Sequence, residues 1–303
     1  MRRALVLVTL GLIGIVSVRG LSQAQRRVVQ PMKIEKVKEN LYYIRGPWNT
    51  VDNDALLHEP GDVAVRVTPE GLIVIDDKFA QHTEGILQQI KSISNLPIKY
   101  LLNTHSHADH AGGDENFIKL TEIISHRNAR ANMIKNKQPG PARVVFDNEL
   151  SVFLGGVEVR AIYLGRGHTN GDAVIYFPDL RAIHSGDLVI EGMPFIDYDN
   201  GGSGVAWVKT IDNILKIDFD TVIPGHGSLR TRQDVMTHKA RLEKMNAKMA
   251  ALIKSGTPRE QAKTELKSYL KEIGWDNTVS TQGFLGRSLD KYYDEIAASA
   301  AAK

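Results

Sequence analysis

The sequence predicts an α/β fold in which two β-sheets pack face to face, helices lie outside them, and a helical tail follows. Three observations carry this. Short apolar or alternating runs recur from residue 30 to about 229, early on with few helices between them. The later runs each end in a loop bearing polar, chemistry-capable side chains. From about Arg230 the composition turns helical. No low-complexity linker or internal repeat interrupts the chain, so 30–229 reads as one domain and 230–303 as a helical extension packed on it.

The elements follow in order. MKIEKV (32–37) and LYYIRG (41–46) are strands with KEN as their turn, and DVAVRV (62–67) and LIVIDD (72–77) are strands joined by TPEG. Between the pairs lies a polar, Gly/Pro-punctuated segment, GPWNTVDNDALLHEPG (46–61). HTEGILQQIKSI (82–93) is a helix, with Ile86, Ile90 and Ile93 on one face, and IKYLLNT (98–104) is a short apolar strand. After it come EIISH (122–126), a polar helix, and the strands VVF, ELSVFL, VEVRAIYL, AVIYF and RAIHS. GVAWVKTIDNILKI (204–217) is helical, with Trp207, Ile211, Ile214 and Leu215 apolar, and DTVIPGHG (220–227) is a last short strand and loop. In the tail, Val235, Leu242, Met245, Met249 and Leu252 form one core-facing stripe and Leu285, Leu289, Tyr293 and Ile296 another. Thr257-Pro258 marks a helix start with Pro in the first turn.

The first 24 residues have the pattern of a secretory signal peptide: Arg2 and Arg3, an apolar run over 4–18, and the small-x-small site Ser22-Gln23-Ala24. Export to the periplasm or beyond is the expectation, with no membrane association after cleavage. The net charge of +3 would then vanish, because Arg2, Arg3 and Arg19 leave with the leader and it contains no acids. A near-neutral chain argues against nucleic acid as a partner and leaves a small molecule. With no cysteine, disulfides and thiolate metal ligands are excluded.

The chemistry concentrates in HSHADH (105–110). In an extended segment His105 and His107 point the same way. The chain then turns, presenting Asp109 and His110 on another side, while Gly112 and Gly113 allow close approach and the next helix start. Two ligand pairs for two neighbouring metals result, and imidazole with carboxylate suits zinc. Three more loops after apolar strands offer His168 (GHT), Asp187 (SGD) and His226 (PGHG) as the missing ligands.

The order HxHxDH, GHT, SGD, PGHG resembles the metallo-β-lactamase superfamily of hydrolases. The resemblance covers nearly all of the chain between leader and tail, and implies a four-layer αββα sandwich. It implies His105, His107 and His168 around a first zinc, Asp109, His110 and His226 around a second, and Asp187 bridging the two. Asp76, ending the strand LIVID, matches the family's early aspartate that supports the metal loop from behind the ligands, with Asp77 the neighbouring candidate. His58, His82, His126, His184 and His238 fall outside the pattern and are given structural or surface roles. The mechanism so implied is a hydroxide shared by two zinc ions attacking a substrate carbonyl, with Asp109 also able to move a proton to the leaving group. Trp48 in the flap-like segment, and Phe195 and Tyr198 in EGMPFIDYDNGGSG, are the substrate-loop candidates.

Two positions depart from the antibiotic-cleaving branch. Asp187 stands where its di-zinc members have a cysteine, and Ile190 where many place a lysine. An aspartate bridge resembles glyoxalase-II-like thioesterases and lactonases instead. The expected function is an exported di-zinc hydrolase of a carbonyl–heteroatom bond. A β-lactam-type amide leads, a thioester or lactone is the alternative, and an iron-dependent persulfide dioxygenase is the alternative of another class.

Overall fold

The computed structural model describes residues 29–46, 48–49, 60–190, 192, 195–275 and 283–301. The leader, His58 and most of the flap-like segment lie outside them, as does the side chain of Trp48. The described residues begin with β1 (Val29–Gln30), β2 (Lys33–Lys38), β3 (Leu41–Arg45) and β4 (Trp48–Asn49), of which β1 pairs with β4. β5 (Val63–Thr68) and β6 (Gly71–Ile75) follow as a hairpin. Asn40 takes the left-handed conformation (φ 56°) that closes the β2–β3 turn, a conformation Asn tolerates better than most residues. Helix α1 (Thr83–Lys91) leads to β7 (Ile98–Leu102). The short helices α2 (Ala108–Ala111) and α3 (Asp114–Phe117) then precede β8 (Glu122–His126). Helix α4 (Arg127–Lys135) and β9 (Val144–Phe146) finish a seven-stranded sheet in the order β2-β3-β5-β6-β7-β8-β9.

The second sheet starts with β10 (Glu149–Leu154), β11 (Val157–Tyr163), β12 (Ala173–Phe177) and β13 (Ala182–His184). Helix α5 (Gly204–Ile214) crosses to β14 (Thr221–Ile223), which is parallel to β13, and β15 (Arg230–Thr231) edges the sheet. Sequence periodicity places the helical change at about Arg230, whereas two more residues pair with β14 before the helix begins.

Parity explains the layers. β5 and β6 are buried on both faces, as befits central strands. Ala64, Ile73 and Ile75 point toward the other sheet and meet Val159, Ala161, Ile175 and Phe177 in the central core. Their neighbours Val63, Val65, Leu72 and Val74 point outward and are covered by Ile86 and Ile90 of α1. On the far side, Val174, Tyr176, Ile183 and Val222 are covered by Trp207, Ile211 and Ile214 of α5. Helix, sheet, sheet and helix make the four-layer αββα sandwich.

The tail consists of α6 (Arg232–Lys254), α7 (Arg259–Glu272), a π-helical turn (Phe284–Ser288) and α8 (Leu289–Ala301). Thr231 and Asp234 form a capping box at the start of α6. Pro258 flanks α7 at its N-cap and does not enter the first turn. Leu242, Met245 and Met249 join Trp207 and Ile211 in one continuous apolar cluster with Trp275, Phe284 and Tyr292, so the stripes read from the sequence face the core.

Inside that cluster His238 is 4 % exposed, with its ring 6.2 Å from Trp207 and 5.5 Å from Trp275. Burial first, then the charges of Arg241 and Arg230, push its pKa down from 6.5 to about 3. The unfolded chain therefore takes up this proton before the folded one does. The neutral ring contributes its full stability above pH 6.5 and loses it as pH falls toward 3. In chelator, which removes metal-linked effects, His238→Phe is expected to flatten the decline of melting temperature between pH 6.5 and 4. An unchanged slope would show that His238 does not carry it.

Candidate metal centre

Every loop that bears a candidate ligand leaves the same edge of the sandwich. β7 runs into 103–110, β11 into His168, β13 into Asp187 and β14 into His226. Asp76 sits at the turn after β6 with φ 59°, in the left-handed region. That conformation costs about 1–2 kcal/mol for a non-glycine residue. The fully buried carboxylate takes three hydrogen bonds there. Thr104 N donates to Oδ1 at 2.7 Å, Thr104 Oγ1 to Oδ2 at 2.7 Å, and His110 Nδ1 to Oδ2 at 2.9 Å. Hydrogen bonds to a charged group contribute about 1.5–3 kcal/mol each, so the turn is held against its strain. Asp77 points elsewhere, accepting from Gly113 N at 2.9 Å at the start of α3. Of the two carboxylates the sequence leaves open, Asp76 is the one that touches the histidine loop.

His105, His107 and His168 bring one ring nitrogen each to a common point, and the other nitrogen of each ring decides its tautomer. His168 Nδ1 faces the Phe195 carbonyl at 2.6 Å, so it donates and Nε2 keeps its lone pair. His107 Nε2 faces Asp197 Oδ2 at 2.7 Å, so Nδ1 keeps its lone pair. His105 Nδ1 lies 3.1 Å from Thr104 Oγ1, whose proton is already committed to Asp76, so Nε2 keeps the lone pair. The three free nitrogens then crowd together. His107 Nδ1 is 3.2 Å from His105 Nε2 and 2.7 Å from His168 Nε2. Lone pairs at that separation repel unless a cation lies among them, and orientation of each ring by an outside acceptor is how metal-ligating histidines are held. Burial and the neighbouring imidazoles keep His168 down at about 4 and His105 well below its usual range. Both rings are therefore neutral and ready to ligate at neutral pH.

The adjoining group is built from the other half of the motif. His110 Nδ1 is spent on Asp76, so Nε2 faces His226 Nε2 at 3.2 Å, Asp187 Oδ1 at 3.2 Å and Asp109 Oδ2 at 3.7 Å. His226 Nε2 lies 3.3 Å from Asp109 Oδ2 and 3.5 Å from Asp187 Oδ1. Asp187 reaches both groups, since its Oδ2 is 3.5 Å from His168 Nε2. Its Oδ1 is buried yet has no hydrogen-bond partner among the described residues. Against burial, which lowers it, the Asp187 and Asp109 carboxylates raise His110 to about 10. Protons on His110 and His226 thus balance two carboxylates in the metal-free chain, and a cation would displace them.

Three sets of donor atoms, His105/His107/His168, His105/His110/Asp187 and Asp109/His110/His226, each lie within 4.8 Å of one another. Nitrogen and carboxylate donors around two adjoining points fit two borderline-soft divalent cations such as zinc. The backbone closes tightly around them. A Cβ on Gly225 would stand 2.0 Å from Asp187 Oδ1, and Gly186 takes φ 50° beside it. Gly61 N donates to the Asp109 carbonyl at 3.0 Å and Asp62 N to that of Gly225 at 2.6 Å, tying the segment before β5 across the site.

The remaining expectations divide. Phe195 reaches the site. Its ring is stacked with His107 (centroids 5.8 Å, 18°) and edge-on to His168 (5.6 Å). Tyr198 instead donates its hydroxyl to Glu295 of α8 at 2.7 Å. His126 stacks on Tyr163 at 4.1 Å and caps α4, and His184 bonds the Asp62 carbonyl, both structural placements. Sequence reasoning singled out Phe195 and Tyr198 but passed over Asp197 between them. No local signal marks it, because its partner His107 is 90 residues away.

The family model described as "Metallo-beta-lactamase superfamily" matches residues 43–226. The chain is 31% identical over 209 residues to "Metallo-beta-lactamase type 2" of Elizabethkingia meningoseptica, covering 64% of this chain and 78% of that protein. It is 28% identical over 134 residues to "2,4-dinitroanisole O-demethylase subunit alpha" of a Nocardioides strain, covering 43% of this chain and 40% of that one. The fold matches that of a metallo-β-lactamase from Pontibacter korlensis with a TM-score of 0.62 at 21% identity, over 70% of this chain and 99% of that one. With the ligand-type histidines and aspartates gathered as described, the chain belongs to the metallo-β-lactamase superfamily of metal-binding hydrolases.

Proposed function

We propose that the protein is an exported di-zinc hydrolase that cleaves a carbonyl–heteroatom bond. The observation that carries this is the convergence of three oriented imidazole lone pairs beside a second His/Asp group, with Asp187 facing both. His105, His107 and His168 would hold one zinc, Asp109, His110 and His226 the other, and Asp187 would bridge. When bound, zinc acidifies water toward a pKa of ~7 and polarises a carbonyl oxygen.

The chain's own groups supply the rest. Thr104, Asp197 and the Phe195 carbonyl fix the rings of the first trio, and Asp76 fixes His110. Asp109, with its side chain 17 % exposed against 7 % for Asp187, is the more open carboxylate. Against burial, the His110 and His226 rings hold its carboxyl well below the usual carboxylate range. It therefore stays an anion fit to ligate, and relays a proton to a leaving nitrogen, sulfur or oxygen only in passing. Phe195 walls the histidine trio and limits water on that side. Export rests on the leader over 1–24. Among the described residues no helix is long and apolar enough to cross a membrane. A mature N-terminus near residue 25 in a periplasmic or secreted fraction would test it.

A β-lactam amide leads because several relatives carry that name, and a thioester or lactone follows because Asp187 is a carboxylate. Elemental analysis should find two zincs per chain, and chelation should abolish hydrolysis until zinc is restored. About one iron per chain would replace this reading with a dioxygenase. Nitrocefin, a thioester, a lactone and 2,4-dinitroanisole form the substrate panel. Hydrolysis of nitrocefin supports the leading substrate, and turnover of the thioester or lactone alone rejects it.

A further inference from the structure

Helix α4 divides its surface among three tasks. Ala129 and Met133 are fully buried. Asn128, Asn132 and Asn136, one helical turn apart, grip the loops of the metal centre. Asn128 Nδ2 donates to Asn170 O at 2.8 Å, Asn132 Nδ2 to Asn170 Oδ1 at 2.9 Å, and Asn136 Nδ2 to Asn200 Oδ1 at 3.2 Å. The remaining stripe bears Arg127, Arg130, Ala131 and Ile134, spaced i, i+3, i+4 and i+7. At 3.6 residues per turn it is centred roughly 150° from the asparagines and so faces away from the metal centre. Opposite it stand Arg143 and Val145, two residues apart and therefore on one side of β9. These side chains line a cleft of about 430 Å³. β8 separates β9 from β7, the strand that runs into the ligand motif.

The cleft is short of negative charge. Between Glu122 and Asp147 the sequence has five lysines and arginines and no acid. Arg127 places Nε and Nη2 on Asp147 at 2.6 and 3.0 Å, leaving Nη1. Arg130 is anchored by Nε on the Ala142 carbonyl at 2.9 Å, leaving both Nη groups. Arg143 is exposed, and among the described residues no carboxylate lies within 4.0 Å of it or of Arg130. Three guanidiniums against one carboxylate leave two positive charges around the same space. Exposed Ile134 and half-buried Val145 add an apolar wall.

The planar fork of arginine matches the oxygens of a phosphate group, and two unmatched charges suit two adjoining anionic groups. A diphosphate has more terminal oxygens than a dicarboxylate, so it can accept from forks on several sides. We infer that this cleft is a second binding site, for a diphosphate group, with Arg130 and Arg143 as its main donors. The group is either free pyrophosphate or the end of an organic molecule whose body lies on Ile134. The site is separate from the metal centre and uses none of its ligands.

The zinc-loaded full-length chain should be titrated calorimetrically with inorganic pyrophosphate, ADP and malonate, with zinc content checked on the same samples. Pyrophosphate drawn to the zincs would bind wild type and cleft variants alike, so the cleft is read from their difference. Arg130→Ala and Arg143→Ala should each weaken this binding about 10-fold, and Arg143→Lys should keep part of it. Arg143 is exposed, so its replacement keeps the test informative even if Arg130→Ala disturbs the fold. ADP at least as tight as pyrophosphate would support the organic ligand, and pyrophosphate alone the free anion. If both alanine variants bind pyrophosphate as the wild type does, or if malonate binds as tightly as pyrophosphate, the diphosphate site is overturned.

Discussion

Asp187→Ala is expected to leave the fold standing, strip the bound metal from both groups and lower hydrolytic kcat/KM by at least about a thousandfold. Asp187 faces both groups with its carboxylate, through His110 at 3.2 Å, His226 at 3.5 Å and His168 at 3.5 Å. The charges of the nearby His226 and His110 rings overcome the cost of burial and hold its carboxyl well below the usual carboxylate range. It is therefore an anion at any working pH, matched to a pair of dications. Removing it would leave the two cations proposed above facing each other with no charge between them. It also withdraws the partner that draws protons onto His110 and His226. Asp187→Asn keeps the shape and removes only the charge. Metal content by elemental analysis and circular dichroism on the same samples would separate loss of metal from loss of fold. Two zincs retained by the alanine variant would end the bridging role.

The parts of this centre that could be read from the sequence are those whose partners are close along the chain. HSHADH sets two ligand directions within one turn, and Gly186 and Gly225 announce tight approaches beside the residues they serve. Strand parity likewise places Val63 and Ala64 on opposite faces of one sheet. Parity fails at Asp76 and Asp77, because the left-handed φ of Asp76 breaks the alternation. The two carboxylates part only once Thr104 and His110 are in place. Phe195 was legible as an apolar wall, but its carbonyl, which sets the tautomer of His168, was not. Every residue has a carbonyl, so no side-chain pattern marks the one that matters. The tail was legible as helices with core-facing stripes. That Ser288, Glu295 and Arg287 all reach the loop after Asp187 depends on contacts across about 90 residues, which no periodicity carries.

That loop underlies the second large effect. Asp197→Asn should weaken zinc at the three-histidine group about 10-fold to 100-fold, the usual cost of losing an outer carboxylate behind a ligating histidine. Asp197 is built for the task. Its Oδ1 accepts from Asp199 N at 3.1 Å and Asn200 N at 3.2 Å, while Oδ2 accepts from Asn200 Nδ2 at 2.6 Å and His107 Nε2 at 2.7 Å. An asparagine keeps the volume but loses the charge that favours the Nε2–H tautomer. It can also present its amide to His107, which would turn the ring nitrogen the wrong way. The tail holds this carboxylate in place. Glu295 accepts from Gly204 N at 2.9 Å and Tyr198 Oη at 2.7 Å, and from Ser203 Oγ, at the N-terminus of α5, where negative charge is favoured. Ser288 clamps Ile196 between the two site residues of the loop. Glu295→Gln and Ser288→Ala should therefore produce the same defect at a few-fold scale, with the His110 group unaffected. Cobalt substitution reads this directly, because the visible spectrum and a competing chromophoric chelator report each metal's environment and affinity apart from activity. Equal weakening at both groups would mean that the tail supports the fold in general. Weakening confined to the histidine trio would show that the loop tethered by the tail orients the ligands.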